Sequence, residues 1–164
     1  MRIAVIDSGP LINFVHLELA NEIAVYFDVI YVPRAVQLEV NRKQRFRHKL
    51  QKLYRTGIFE RCTSSDKWNV ELLKVELDDG EAEGLIQGQE KNAEIFIGDE
   101  SRARDICSKF GLKPIGTVRL LARLHLEGRA GETTALTRKL RRDLRFRVSD
   151  NVVDTAIGLA HEPI

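Results

Sequence analysis

The chain is 164 residues long, 43% hydrophobic and 30% charged, with a formal net charge of +2; this is an ordinary globular composition with room for a proper core, and its overall charge does not by itself mark a nucleic-acid binder. Cys62 and Cys107 are too few and too far apart for a disulfide framework or a zinc knuckle, and are read as free, core-lining thiols. No apolar stretch approaches the length of a membrane span, and Arg2 leads directly into a short strand rather than a signal peptide, so the cytoplasm is the expected compartment, with no membrane partner.

Ile3–Ile6 is a short run, apolar on both faces, that ends on Asp7 and is stopped by Ser8-Gly9-Pro10. From Pro10 through Leu17 and Leu19 the apolar spacing predicts a helix covering one sheet face. Val29–Val32 reads as a second strand. Pro33 then suits the first position of a helix with Val36 and Val40 at helical spacing, running on through a basic stretch to end near Gly57. "LDDGEAEGLIQGQEKN" opens another helix: Asp78 and Asp79 can cap it, and Glu81 and Glu83 favour its positive end. Gly84 and Gly88 each cost such a helix about 1 kcal/mol relative to Ala. One turn apart, they let it approach the sheet or a partner subunit closely.

Glu94–Ile97 is a third strand, and the chain passes from it through Gly98 into Asp99. Glu100 to Phe110 reads as a helix closed by Gly111, followed by a weaker strand at Lys113–Ile115. Thr117 caps a helix that turns Val118, Leu121 and Leu124 inward and stops at Gly128. Leu136, Leu140 and Leu144 make a basic amphipathic helix whose leucines permit dimerisation. Ser149 caps a last helix through Val152, Val153, Ala156 and Ile157. Short strands that are apolar on both faces and separated by helical patterns predict a buried parallel sheet in an α/β fold. One domain over residues 1–164 is expected, with its core in 1–128 and a helical extension in 129–164.

Charge is distributed unevenly. Arg42, Lys43, Arg45, Arg47, Lys49, Lys52 and Arg55 follow one another with no acid between them, and a second basic run spans Arg138 to Arg147. Such runs are the electrostatic footprint of phosphate-backbone binding, and equally the solvated face of a helix. Trp68, Tyr54 and Phe46 are candidates for base stacking, with core packing the simpler expectation for each. His16, His48, His125 and His161 are scattered and are read as surface or packing residues.

Asp7 and Asp99 share one device, a hydrophobic strand running into a carboxylate. In an open parallel sheet the ligand site lies outside the carboxyl ends of the strands, so the fold puts both acids on one rim. Each alone is explained by helix capping. Together, on neighbouring strands, like charges would oppose each other's ionisation, and a hard divalent cation such as Mg²⁺ or Mn²⁺ removes that cost.

These segments, "IDSGPLI", Glu39 in "AVQLEV", "LDDGEAEGL" and "IFIGDESRARDICSKFGLKPIGTVRLL", resemble the PIN-domain family, close to its VapC-like toxin nucleases. The likeness runs in order from Met1 to about Gly128, and "SDNVVDTAI" resembles the closing helix of one PIN branch. It implies a three-layer α/β fold, a mostly parallel sheet flanked by helices, with a helical C-terminal end. It also implies a four-acid Mg²⁺ or Mn²⁺ site, here Asp7, Glu39, Glu81 and Asp99, that hydrolyses RNA phosphodiesters. Ser8 and Thr117 are similar to hydroxyl residues bordering such sites, though Thr117 serves as well as a simple cap. A two-residue step turns roughly 200° on a helix, so Glu83 projects away from Glu81 as a supporting acid at most. Arg102 and Arg104 follow Asp99 and suit phosphate contacts, extended by Arg42, Lys43 and Arg45. The family further implies an antitoxin partner and a homodimer. A non-catalytic nucleic-acid-binding module on the same fold is the rival, since fold does not imply activity. A phosphatase of the haloacid-dehalogenase kind is disfavoured, because Asp7 is followed by Ser-Gly with no second aspartate two residues on.

Overall fold

Five short strands, β1 (Ile3–Ile6), β2 (Val29–Pro33), β3 (Phe59–Cys62), β4 (Ile95–Ile97) and β5 (Lys113–Ile115), form one sheet in the computed structural model, which describes residues 1–164. Every pairing is parallel, in the order β3-β2-β1-β4-β5. β1 is central, and its register sets Ala4 beside Ile30 and Ile95, and Ile6 beside Ile97. All four of its residues are buried, which explains why the run is apolar on both faces. Ala4 and Ile6 enter the larger core; Ile3 and Val5 enter a smaller one on the opposite face. That is the three-layer α/β arrangement expected from the sequence.

β3 is the strand that pattern reading misses. Only Phe59 and Cys62 of its four residues are buried, and Glu60 and Arg61 face water. Charged side chains on an edge strand discourage pairing with another chain, and here they also mask the strand signal.

The larger core is covered by α1 (Ser8–Leu17), α2 (Ala20–Ile23), α3 (Arg34–Arg42) and α4 (Gln44–Tyr54). The single helix expected from Pro33 to near Gly57 is two helices, broken at Lys43, where the backbone takes φ −86° and ψ 90°. An unbroken helix from Arg34 to Tyr54 would run about 30 Å in one direction. The break turns the chain so that Val36 and Val40 before it, and Phe46, Leu50 and Leu53 after it, all reach one core.

On the opposite face lie α5 (Lys67–Leu73), α6 (Asp79–Glu90) and α7 (Ser101–Cys107), the last extended by a 3₁₀ turn over Ser108–Phe110 and closed by Gly111 at φ 72°. α5 was not expected; the Asp66 side chain caps it by accepting from the Asn69 N–H at 3.1 Å. It carries Trp68 outward, 74% exposed, contrary to the packing expected for that residue. Gly84 and Gly88 do bring α6 into close approach, and the neighbours are this chain's own: Phe96 on β4 and Leu112.

The chain closes with α8 (Thr117–Leu126), α9 (Thr133–Leu144) and α10 (Asp150–Gly158). Leu140 is fully buried in the larger core, with Leu136 and Leu144 packed against it. The leucines of α9 therefore pack largely on their own molecule, with Leu136 and Leu144 half-buried. α10 lies on α8 through Val118, Val153 and Ala156. Both cysteines are free and buried, and no helix is long and apolar enough to cross a membrane.

Candidate active site

β1 delivers Asp7 to the carboxyl edge of the sheet, where its N–H donates to the Ile97 carbonyl of β4 at 2.9 Å. Asp7 occupies the N-cap position of α1, yet its side chain caps nothing. Its Oδ1 is buried with no partner at all. Burial pushes the carboxyl well above the usual range, and the charges of Asp78, Glu81 and Glu39 add to the effect. Gly80 makes the room: a Cβ there would lie 2.9 Å from Asp7 Oδ1 and 3.1 Å from a Val36 methyl. Simple helix capping, the bland explanation of this residue, is absent.

Glu81 faces the same place from the first turn of α6. Asp78 caps that helix, accepting from the Glu81 N–H at 2.8 Å, while Glu81 Oε2 accepts from the Asp78 N–H at 3.1 Å. This reciprocal box fixes Glu81 and satisfies one of its oxygens. The other, Oε1, is buried and unpartnered. Burial raises the Glu81 pKa, Asp78 and Glu100 raise it further, and Arg102 nearby opposes them. Asp79, the second expected cap, instead meets Lys74 at 3.5 Å.

Asp99, after β4, is held differently. Thr117 donates to both of its oxygens, from its N–H to Oδ1 at 2.7 Å and from its hydroxyl to Oδ2 at 2.6 Å. The N-cap of α8 is Gly116, so Thr117 is not the cap expected of it; its fully buried hydroxyl serves Asp99. Asn13 completes the group, donating to Thr117 Oγ1 at 3.2 Å and to Asp99 Oδ2 at 3.4 Å. Burial raises the Asp99 pKa, and the Thr117 bonds and Arg104 hold it back. Asn13 escaped the sequence reading. Its signal was there: one amide inside the otherwise apolar run Pro10–Val15.

Glu39 lies on α3, 45% exposed by its side chain, with the Lys43 ammonium 3.8 Å away. Glu83 does turn away from Glu81, as its spacing predicts, and accepts from the Ala35 N–H at 2.8 Å. It thereby ties α6 to the first turn of α3, the helix that carries Glu39. Ser8 is buried at the start of α1 beside Asp7.

The four acids thus share one edge of the sheet in two groups. Asp7 and Glu81 stand against Gly80; Asp99 stands against Thr117, Asn13 and Gly116; Glu39 lies across from both. No three of them converge at metal-ligating distances. The donor chemistry nevertheless suits a hard divalent ion, because two buried carboxylate oxygens have no partner of their own and oxygen ligands are what Mg²⁺ and Mn²⁺ take.

The two basic runs, far apart in sequence, meet here. A groove of 810 Å³ has Lys43, Arg45 and Phe46 on one side and Arg145, Phe146 and Arg147 on the other. Glu39, Asp99, Glu100, Asp143 and Asn13 also line it, so it mixes cations with carboxylates. Arg45 stacks over the Phe46 ring at 4.7 Å, and Phe46 itself is buried.

A parallel three-layer fold with acids gathered beyond the carboxyl ends of β1 and β4 defines an α/β protein with an acidic site at its topological switch. The family model DUF3368, a PIN domain, matches residues 3–162, and the chain belongs to the PIN-domain family. PIN domains are in general metal-dependent nucleases. No curated protein matches the chain.

Proposed function

We propose that the protein is a Mg²⁺- or Mn²⁺-dependent endoribonuclease. The observation that carries this reading is the pair of buried, partnerless carboxylate oxygens, Asp7 Oδ1 and Glu81 Oε1, at the sheet edge. Asp7, Glu39, Glu81 and Asp99 would hold the ion. When bound, it neutralises charge on the scissile phosphate and lowers the pKa of a water near it. The chain's own residues do the rest. Thr117 and Asn13 orient Asp99, the Thr117 bonds opposing the rise that burial gives its pKa, and Glu83 holds α3, and with it Glu39, against α6. Arg102 and Arg104, beside Glu81 and Asp99, contact the phosphate, and Lys43, Arg45 and Arg147 seat the strand.

Under this reading the protein acts in the cytoplasm as the toxin of a toxin–antitoxin pair, working as a homodimer. Induced expression is then expected to arrest growth, and Asp99→Asn to abolish the arrest. The separation of the acids into two groups favours one alternative, a PIN module that binds RNA without turnover.

Incubating single-stranded and structured RNAs with Mn²⁺, Mg²⁺ or EDTA separates the two. The nuclease reading expects metal-dependent cleavage, reduced about 100-fold or more in folded Asp7→Asn and Asp99→Asn, since even supporting a ligand is worth roughly 10–100-fold. RNA binding without cleavage, unchanged by either substitution, overturns it in favour of the binding module.

A further inference from the structure

Beside Asp99, a cavity of about 360 Å³ lies between β5, α8 and α10. Its volume is at the lower end for small-molecule pockets, roughly 300–1,000 Å³. Ile115, Val118, Val152, Ala156 and Leu159 contribute apolar walls. Its charged lining is mostly cationic: Lys113, Arg104, Arg119 and Arg147, against Asp99 and Glu162. Arg119 is anchored by Nη2, which donates to the Glu162 carbonyl at 2.9 Å, while its Nη1 is buried with no acceptor. Apart from Asp99 itself and Arg104 beside it, none of these features is needed to hold the acids.

We propose that this cavity receives the base of the nucleotide next to the scissile phosphate, and so sets a base preference at that position. The proposal rests on the nuclease reading for its orientation. Three residues, Asp99, Phe146 and Arg147, line both this cavity and the groove, so the two adjoin at Asp99. A strand lying in the groove with its reacting phosphate at Asp99 has its neighbouring base at the cavity. Apolar walls suit the faces of a base. The free Nη1 of Arg119 suits an acceptor on its edge, and the cationic lining suits the phosphates on either side. A neutral peptide would meet the apolar walls, but would leave most of this positive charge unanswered.

Thr155 lines the cavity from the exposed side of α10, with its hydroxyl bonded only to the Asn151 carbonyl of its own helix. Thr155→Trp therefore obstructs the cavity without entering a core, and Arg119→Gln removes the unpaired donor. The metal-free protein is titrated with each of the four ribonucleoside 5′-monophosphates, and the methyl NMR signals of Val118, Val152 and Leu159 are followed. Cleavage sites in a randomised RNA are mapped in parallel with Mn²⁺. The expected result is saturable shifts at those methyls, weakened about tenfold by either substitution, and a base preference beside the cut that Thr155→Trp flattens.

Cleavage with no methyl shifts, and with a base preference untouched by Thr155→Trp, overturns the cavity proposal and leaves the nuclease reading standing. Methyl shifts blocked by Thr155→Trp in a protein that cleaves nothing overturn the nuclease reading and leave the cavity as a nucleotide site. A change in sedimentation on Thr155→Trp, with nucleotide shifts absent in the parent, assigns the cavity to contact between copies and overturns the proposal.

Discussion

Asp7 carries a charge that the metal-free fold accommodates poorly, and the sign of its effect with pH is fixed. Its folded pKa is raised by burial and by neighbouring acids. Below the ordinary carboxylate range it is protonated in both states and costs nothing. As pH rises past the unfolded value toward the raised folded one, the unfolded chain releases its proton first, and stability falls. Glu81 and Asp99, also raised, act in the same sense. The metal-free parent is therefore expected to lose melting temperature relative to Asp7→Asn as the pH rises from acid to neutral. Mn²⁺ is expected to raise the neutral-pH melting temperature of the parent by several degrees and that of Asp7→Asn by much less. Equal metal stabilisation in both would remove Asp7 from the site. Thr117→Val tests the other group: it keeps the shape but leaves Asp99 and Asn13 short of their shared hydroxyl. It is expected to cost about 1–3 kcal/mol in denaturant unfolding, with Thr117→Ser close to the parent.

At the scale of elements, α6 shows why a helix tolerates two glycines. A Cβ on Gly84 would lie 2.8 Å from the Phe96 ring, and the opposite edge of that ring meets the Cβ position of Gly98. Phe96, fully buried, has no direction in which to yield. A Cβ on Gly88 would meet the Leu112 Cδ1 at 2.6 Å, the far end of a flexible side chain. Gly84→Ala is thus expected to destabilise by roughly 1–3 kcal/mol through overpacking, despite the ~1 kcal/mol gained in helix propensity. Gly88→Ala should come out closer to neutral. Denaturant melts of the two variants check the order, and the reverse order would mean that Phe96 has room after all. Losing close packing at Gly84 would also shift the first turn of α6, where Glu81 is set.

Over the whole molecule, the net charge of +2 hides a groove that gathers Lys43, Arg45, Arg145 and Arg147 around the acids Glu39, Asp99, Glu100 and Asp143. Lys43 and Arg45 belong to one run, Arg145 and Arg147 to the other, and only folding sets them across from each other. Single-stranded nucleic-acid binding weakens with salt by about 0.7 in log–log slope per phosphate contact. Arg45→Ala and Arg147→Ala are each expected to lower the slope by about that amount and to weaken RNA binding. Arg55→Ala, in the same basic run as Arg45 but outside the groove, should change the slope little. Equal slopes for Arg45→Ala and Arg55→Ala would assign the binding to the charge of the run rather than to the groove.

The sequence alone determined the layered α/β architecture, the strands that end on Asp7 and Asp99, and the helix start that carries Glu81. Those features are local: apolar runs with a period, a capping box, a turn that stops a strand. β3 and α5 escaped because charged edge residues and a short helix leave little periodic signal. The break at Lys43 escaped because no proline or glycine marks it; the demand that two helices bury their faces on one core decides it. Tertiary structure alone decided that Thr117 and Asn13 serve Asp99, that Gly80 makes room for Asp7, and that two distant basic runs form one groove. Each of these joins residues from separate elements, and such neighbours are set by how elements pack rather than by any pattern along the chain.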